Sequence, residues 1–219
     1  MGTRPVLAAA LAGIPIGIQR HGLWAGRRQL LIKFAGPAET ATMYTSDALA
    51  REVGRGLSRS PVHSVCISGR DALGNAEFLE AALQTLATKT PVVADTDGQR
   101  PEAIAVLHPY LSLVQVSLDA PAAEATVERA METVRAAARV GCAHAVVIGG
   151  TDEASDADYL QIVEKAHAAS EGVRLLIHPG PATERGVLDR RWAVLLEHAM
   201  GHHADVQISL RLSGPATLR

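Results

Sequence analysis

Three side chains in this 219-residue sequence stand where acid–base chemistry could be done. Asp95 closes the apolar run PVVAD, Asp119 follows LVQVSL, and His178 follows VRLLI. Two carboxylates and an imidazole that converge at one mouth can exchange protons with a substrate or ligate a divalent ion. Histidine alone among them titrates near neutrality when unperturbed, so His178 is the most telling of the three. Each also has a structural use, as a helix cap or as a partner for Arg70, Arg100, Arg174 or Arg211. Other apolar runs end in polar or glycine residues too: Gly36, Ser68-Gly69-Arg70-Asp71, Thr96-Asp97, Ser117, Gly149-Gly150-Thr151-Asp152 and Arg211. Gly149-Gly150-Thr151 has the composition of a phosphate-cradling turn, although a lone glycine pair is a weak signal. His202-His203 follows Gly201 at a helix end, where two histidines complement the helix dipole. Adjacent residues do not share a face, which argues against a metal there.

Those positions acquire meaning from the elements that carry them. Apolar runs of about five to seven residues alternate with amphipathic stretches along the whole chain. The pattern predicts strands at Gln29–Phe34, Val62–Gly69, Pro91–Asp95, Leu113–Leu118, Ala143–Gly149, Val173–Ile177 and Asp205–Leu212. Between them it predicts helices from Thr45 to Ser58 (N-capped by Ser46 or Asp47), Ala76–Thr88, Pro101–His108, Glu124–Val140, Ala157–Ala169 and Arg191–Met200. Strand–helix alternation of this kind indicates βαβ units and a parallel sheet. The expected fold is α/β: one domain over residues 1–219, a partial or complete (β/α) barrel of about seven mainly parallel strands. No G-x-G-x-x-G opens a helix, so a dinucleotide-binding sheet is disfavoured. In parallel α/β folds chemistry gathers at the C-terminal strand ends, where the residues above lie.

Composition narrows the function classes. Apolar residues make up 47%, charged residues 20%, and the net charge is −2. No basic excess calls for nucleic acid or an anionic membrane. Aromatics at 3% leave no base-stacking platform. The apolar N-terminus superficially resembles a leader, but it contains Pro15 and runs on into Gly17-Ile18-Gln19, so it is expected to be the first strand and its approach. Cys66 and Cys142 are far apart in apolar segments and are expected to be buried, reduced thiols of a cytoplasmic protein. Two such thiols cannot hold a four-iron cluster in the usual three-cysteine manner.

The stretch from Gly17 to Thr45 adds a resemblance. Ile18-Gln19, Gly22, Ala25-Gly26-Arg27 and Phe34-Ala35-Gly36 resemble the opening of the radical-SAM family, most closely 7-carboxy-7-deazaguanine synthase. Thr42-Met43-Tyr44-Thr45 is similar to the T-x-Y-T that follows that family's cluster loop. That match needs a four-residue deletion in the cluster loop; read without a gap, the places of the cluster cysteines fall on Pro37, Ala41 and Tyr44, and either way the loop holds no cysteine. Further on, Ser68-Gly69-Arg70-Asp71-Ala72-Leu73 stands where the family has T-G-G-E-P-L, which receives the amino group of S-adenosylmethionine. Asp95-Thr96-Asp97-Gly98, Ser117 and His178-Pro179 resemble three other strand-end motifs. The resemblance implies a radical-SAM-type barrel with no iron–sulfur cluster and no reductive cleavage of S-adenosylmethionine. It places Gln19, His21, Arg27, Lys33, Ser68, Gly69, Arg70, Asp71, Thr96, Ser117 and Arg211 around a ligand, with Lys33 reaching a charge at the mouth. It also implies a homodimer.

Three readings follow. The chain is a cluster-free relative of the deazaguanine-synthase branch that does non-radical acid–base chemistry on a small polar or heterocyclic metabolite. Alternatively it is a pseudoenzyme that binds a ligand or partner protein without turnover. The third is an unrelated barrel lyase, isomerase or hydrolase. An open polar pocket at the strand ends favours the first, and a side-chain-filled mouth the second.

Overall fold

The strands of this protein are its Val-, Leu- and Ile-rich runs, and they assemble into one ten-stranded sheet. The structure is a computed structural model that describes residues 6–151, 153–179 and 190–209. Arg211 and Asp152 lie outside the described residues. Chain order gives β1 (Ala8–Gly13), β2 (Ile16–Ile18), β3 (Arg28–Phe34), β4 (Thr42–Thr45), β5 (Ser64–Gly69), β6 (Val92–Thr96), β7 (Leu113–Ala120), β8 (Ala143–Gly150), β9 (Arg174–His178) and β10 (Val206–Ile208). The helices are α1 (Ser46–Arg59), α2 (Ala76–Leu86), α3 (Pro101–Leu107), α4 (Glu124–Arg139), α5 (Asp156–Ala169) and α6 (Arg190–His202).

Across the sheet the order is β10-β9-β8-β7-β6-β5-β3-β1-β4, with β2 alongside β3. From β3 to β10 every neighbouring pair is parallel, and from β5 onwards the neighbours are also consecutive in the chain, as βαβ units require; between β3 and β5 the chain passes through β4 at the sheet edge. β1, β2 and β4 are an antiparallel addition: β1 and β2 pair with β3, and β4 pairs with β1. The sheet therefore holds more strands than the sequence pattern predicts. The N-terminal run expected to be one strand forms two, β1 and β2, and the strand the pattern did not mark is β4, whose four residues TMYT lie at the sheet edge and owe their conformation to pairing with Ala8–Leu11. The cap of α1 also differs from expectation. Thr45, rather than Ser46 or Asp47, accepts the Ala48 N–H at 3.2 Å, so the cap residue is also the last residue of β4.

Alternation along each strand gives the sheet two faces. One is covered by helices, whose Leu49, Val53, Leu79, Leu83, Ile104, Val127, Val134, Ile162 and Leu195 pack on Ile32, Val65, Ala94, Val116, Ile148 and Ile177. The opposite face holds a smaller apolar cluster of Cys66, Val93, Leu113, Ala145, Val147 and Leu176. No helix covers it. Leu23 and Trp24, from the loop joining β2 to β3, pack on it together with Leu31. Cys66 and Cys142 are both buried and unpaired. No helix among the described residues is long and apolar enough to cross a membrane.

Candidate functional site

The residues two, four or six positions further along the strands from that small apolar cluster share its face. They are Ser68 on β5, Asp95 on β6, Gln115, Ser117 and Asp119 on β7, Gly149 on β8 and His178 on β9. The loop from Gln19 to Arg27 closes over them. Its base is zipped by Gln19 N–H to Arg27 O and Gly26 N–H to Gln19 O, both 2.9 Å. Gly22 and Gly26 take φ of +86° and +81°, the left-handed region that lets so short a loop fold back. A Cβ on Gly22 would also lie 2.0 Å from the Gln115 side chain, so the loop backbone sits directly on the strand.

That loop delivers His21 to Asp95. The imidazole Nε2 lies 3.0 Å from Asp95 Oδ2, with His21 31% and Asp95 10% exposed at the side chain. The other carboxylate oxygen, Oδ1, accepts from Ser117 Oγ at 2.8 Å and Gln115 Nε2 at 3.1 Å. Burial alone would raise the Asp95 carboxyl, but the donors His21, Ser117 and Gln115 together hold it below the usual carboxylate range. An ionised Asp95 makes Nε2 of His21 the protonated nitrogen. Nδ1 then carries the lone pair, and it has no hydrogen-bond partner among the described residues. An imidazole oriented by a buried carboxylate, with its second nitrogen open, is the arrangement of a general base or acid. Nearby Cys66 is no nucleophile, because burial pushes its thiol far up and the Asp95 charge adds to the effect.

His178 is placed differently from the sequence expectation. Its Nε2 accepts the backbone N–H of Gly22 at 3.2 Å, and its Nδ1 bonds the Ser209 carbonyl. Both ring nitrogens thus serve backbone groups, and the ring is 1% exposed. His178 is an anchor for the loop and for β10, with its ring edge-on to His21 at 6.2 Å. Asp119 shares a row with Gly149 and His178. Two strand spacings separate it from His178, about 10 Å between Cα atoms, and its side chain is exposed. Asp95 and His178 are therefore joined through the loop, while Asp119 stands apart.

The expected ligand-facing residues divide in the same way. Ser117 is part of the Asp95 cluster, and Ser68 lies beside Cys66 on the same face. Lys33 does reach a charge, Glu39, whose second oxygen accepts the Gly36 N–H at 2.9 Å. Asp71 is engaged by Arg100 through two bonds of 2.8 and 2.7 Å, and Arg70 is exposed beside it. Thr96 points to the helix-covered face, where its hydroxyl accepts the Gly98 N–H at 3.1 Å, so it does not line the mouth. Gly69 is required by the backbone: at φ +101° a Cβ would meet the Phe34 carbonyl oxygen at 2.3 Å. Gln19 is buried and Arg27 exposed at the loop base. Gln115 was absent from the expected set, although its place in the period-two series Leu113, Gln115, Ser117, Asp119 marks it as facing Asp95.

Elsewhere the polar clusters are structural. A cleft of about 600 Å³ between α3 and α4 is lined by Arg129, Arg135 and Arg139, but Glu102 and Glu132 neutralise Arg129 and Glu128 pairs with Arg135. His202 reaches Glu164 and His203 reaches His167, so these neighbours diverge. Among the described residues no three His, Cys, Asp or Glu side chains are grouped as a metal would need.

No family model matches the sequence, and no curated protein matches it. A solved 3-dehydroquinate dehydratase from Geobacillus kaustophilus HTA426 aligns over 93% of this chain and 91% of its own, at 13% identity and a TM-score of 0.32. A likeness that distant bears on neither the fold nor the chemistry of this chain.

Proposed function

We propose that this chain is a cluster-free, radical-SAM-like partial (β/α) barrel that binds a small polar or heterocyclic metabolite at its C-terminal strand ends and exchanges protons with it through His21. The observation that carries the reading is the His21–Asp95 pair, a half-exposed imidazole held by a buried carboxylate whose other oxygen is doubly bonded. Asp95 fixes the tautomer and orientation of the ring, which leaves Nδ1 to exchange a proton with a bound ligand. The role expected of the Asp95, Asp119 and His178 set passes to His21 with Asp95, and His178 becomes the residue that seats the loop. No iron–sulfur cluster or cleavage of S-adenosylmethionine belongs to this mechanism. A homodimer, which the resemblance implies, is part of the reading and would show as twice the chain mass in light scattering.

A second reading has its own support. Leu23 and Trp24 pack against the inner face of the sheet, so side chains of the described residues occupy part of the mouth beside His21. A partly filled mouth suits a pseudoenzyme that binds without turnover. A thermal-shift screen with S-adenosylmethionine, pterins, deazapurines and divalent metals tests both readings. On the enzymatic reading, a hit is weakened by Asp95→Asn and its conversion is abolished by His21→Ala. A ligand that binds both variants as well as the parent, or that is never converted, favours the pseudoenzyme.

A further inference from the structure

The strongest unassigned feature is the buried amide of Gln115, which belongs to neither the sheet ladder nor the apolar cluster around it. Gln115 is 1% exposed on the central strand β7. Its Oε1 accepts the Leu23 N–H at 2.9 Å, and its Nε2 donates to Asp95 Oδ1 at 3.1 Å. One planar amide thus touches the backbone of the loop that carries His21 and the carboxylate that orients it. Those two contacts define each other. The Leu23 N–H demands an acceptor on its side, which turns the NH₂ towards Asp95. Asp95 in turn demands a donor on its own side, because the flipped amide would set an oxygen against a carboxylate, so the two contacts together select one orientation.

We propose that Gln115 is a positioning residue that makes the tautomer of His21 depend on the loop being seated. This rests on the His21–Asp95 reading and adds a coupling to it. With the loop down, Leu23 sets the amide, the amide and Ser117 hold Oδ1, and Oδ2 is left to fix Nε2–H of His21. With the loop lifted, the Gln115 amide loses the Leu23 N–H and the imidazole leaves Asp95 together with the loop. Proton exchange is thereby confined to the closed state, in which a ligand is also shielded from water. Among the described residues, the titratable groups facing the cluster include His21, His178 and the Cys66 thiol on β5, with Asp119 further along the same face of β7.

The test reads the imidazole directly, with ¹⁵N-histidine-labelled full-length protein and no ligand. In the parent, above the titration range, the His21 nitrogens give one protonated-type and one unprotonated-type signal. Gln115→Met keeps the length and removes both bonds, and the ratio of Nε2–H to Nδ1–H tautomer falls about tenfold, the weight of one hydrogen bond to a charged group. Gln115→Leu removes the same two bonds with a branched apolar side chain. It too lowers the tautomer ratio, and it opens the Leu23 amide to hydrogen exchange. Circular dichroism confirms folding, and one folded variant of the two suffices. A folded Gln115→Met with the parental tautomer ratio overturns the coupling. Asp95→Asn separates the two levels: if it too leaves the ratio unchanged, the His21–Asp95 reading itself fails, whereas a changed ratio there beside an unchanged one in Gln115→Met defeats only the role of Gln115.

Discussion

Replacing Asp95 is the most direct way to ask what holds the strand-end cluster together. The carboxylate receives three donors at 3.0, 2.8 and 3.1 Å, from His21, Ser117 and Gln115. In Asp95→Asn the amide oxygen keeps Ser117 and Gln115, but an NH₂ now faces Nε2–H of His21, and one charge-assisted bond is lost. That costs about 2 kcal/mol. Asp95→Ala leaves all three donors without an acceptor in a buried site and costs about 4 kcal/mol. For a chain of this length the Tm losses are about 6 °C and about 12 °C. The pH dependence gives a second handle. The folded-state carboxyl is held below its ordinary range by its donors, against the opposing effect of burial. A depressed carboxyl adds stability above about pH 4, and that stability is lost as pH falls through the folded value. The gap between parent and Asp95→Asn therefore closes on acidification and does not close towards alkaline pH. Urea denaturation of both proteins at pH 7 and pH 3, followed by circular dichroism, measures it. Equal stability at pH 7, or a gap of the same size at both pH values, refutes the argument.

Other outcomes follow from single features. Gly69→Ala forces a Cβ to 2.3 Å from the Phe34 carbonyl at φ +101° and should cost about 3 kcal/mol, read as a lowered denaturant midpoint at unchanged m-value. Thr45→Ala removes the cap of α1 and should cost about 1 kcal/mol in the same assay. Cys66 and Cys142 are buried with their thiols raised by burial, so a colorimetric thiol reagent should react with neither until denaturant is added. Anaerobic reconstitution with iron and sulfide should yield no four-iron absorbance that survives desalting; a stable cluster that depends on these two cysteines would contradict the present reading.

The strands and helices that position the site were legible because their signals are local. Runs such as VVADT and LVQVSLDA announce buried parallel strands, and each helix shows its apolar face within its own residues. The elements that escaped are those whose reason lies elsewhere in the chain. β4 is a strand because Ala8–Leu11 lies beside it, and nothing within TMYT demands an extended backbone. The resemblance alone places His21 near a ligand, and its pairing with Asp95, like that of Gly22 with His178, is set by the closure of the loop over the sheet. Only Gln115 carried an overlooked local signal. An amide alternating with Leu113 and Ser117 on a central strand must find hydrogen-bond partners, since an unsatisfied buried amide is expensive.

The same alternation explains why the loop and the strand ends act as one unit. The inner face of the sheet is apolar at Cys66, Val93, Leu113 and Val147 and becomes polar one step further along the strands, at Ser68, Asp95, Gln115 and Ser117. A loop covering both bands must present apolar residues to the first and hydrogen-bonding groups to the second. Gln19–Arg27 does so in consecutive positions: Leu23 and Trp24 on the apolar band, and the Leu23 N–H, the Gly22 N–H and the His21 ring on the polar one. Leu23 therefore serves both bands, its side chain seating the loop while its N–H sets Gln115. Trimming that side chain in Leu23→Ala would weaken the seating while leaving every polar partner of Asp95 in the sequence. Loss of the fixed His21 tautomer in that variant would trace the order of the acid–base pair back to the hydrophobic contact beneath it.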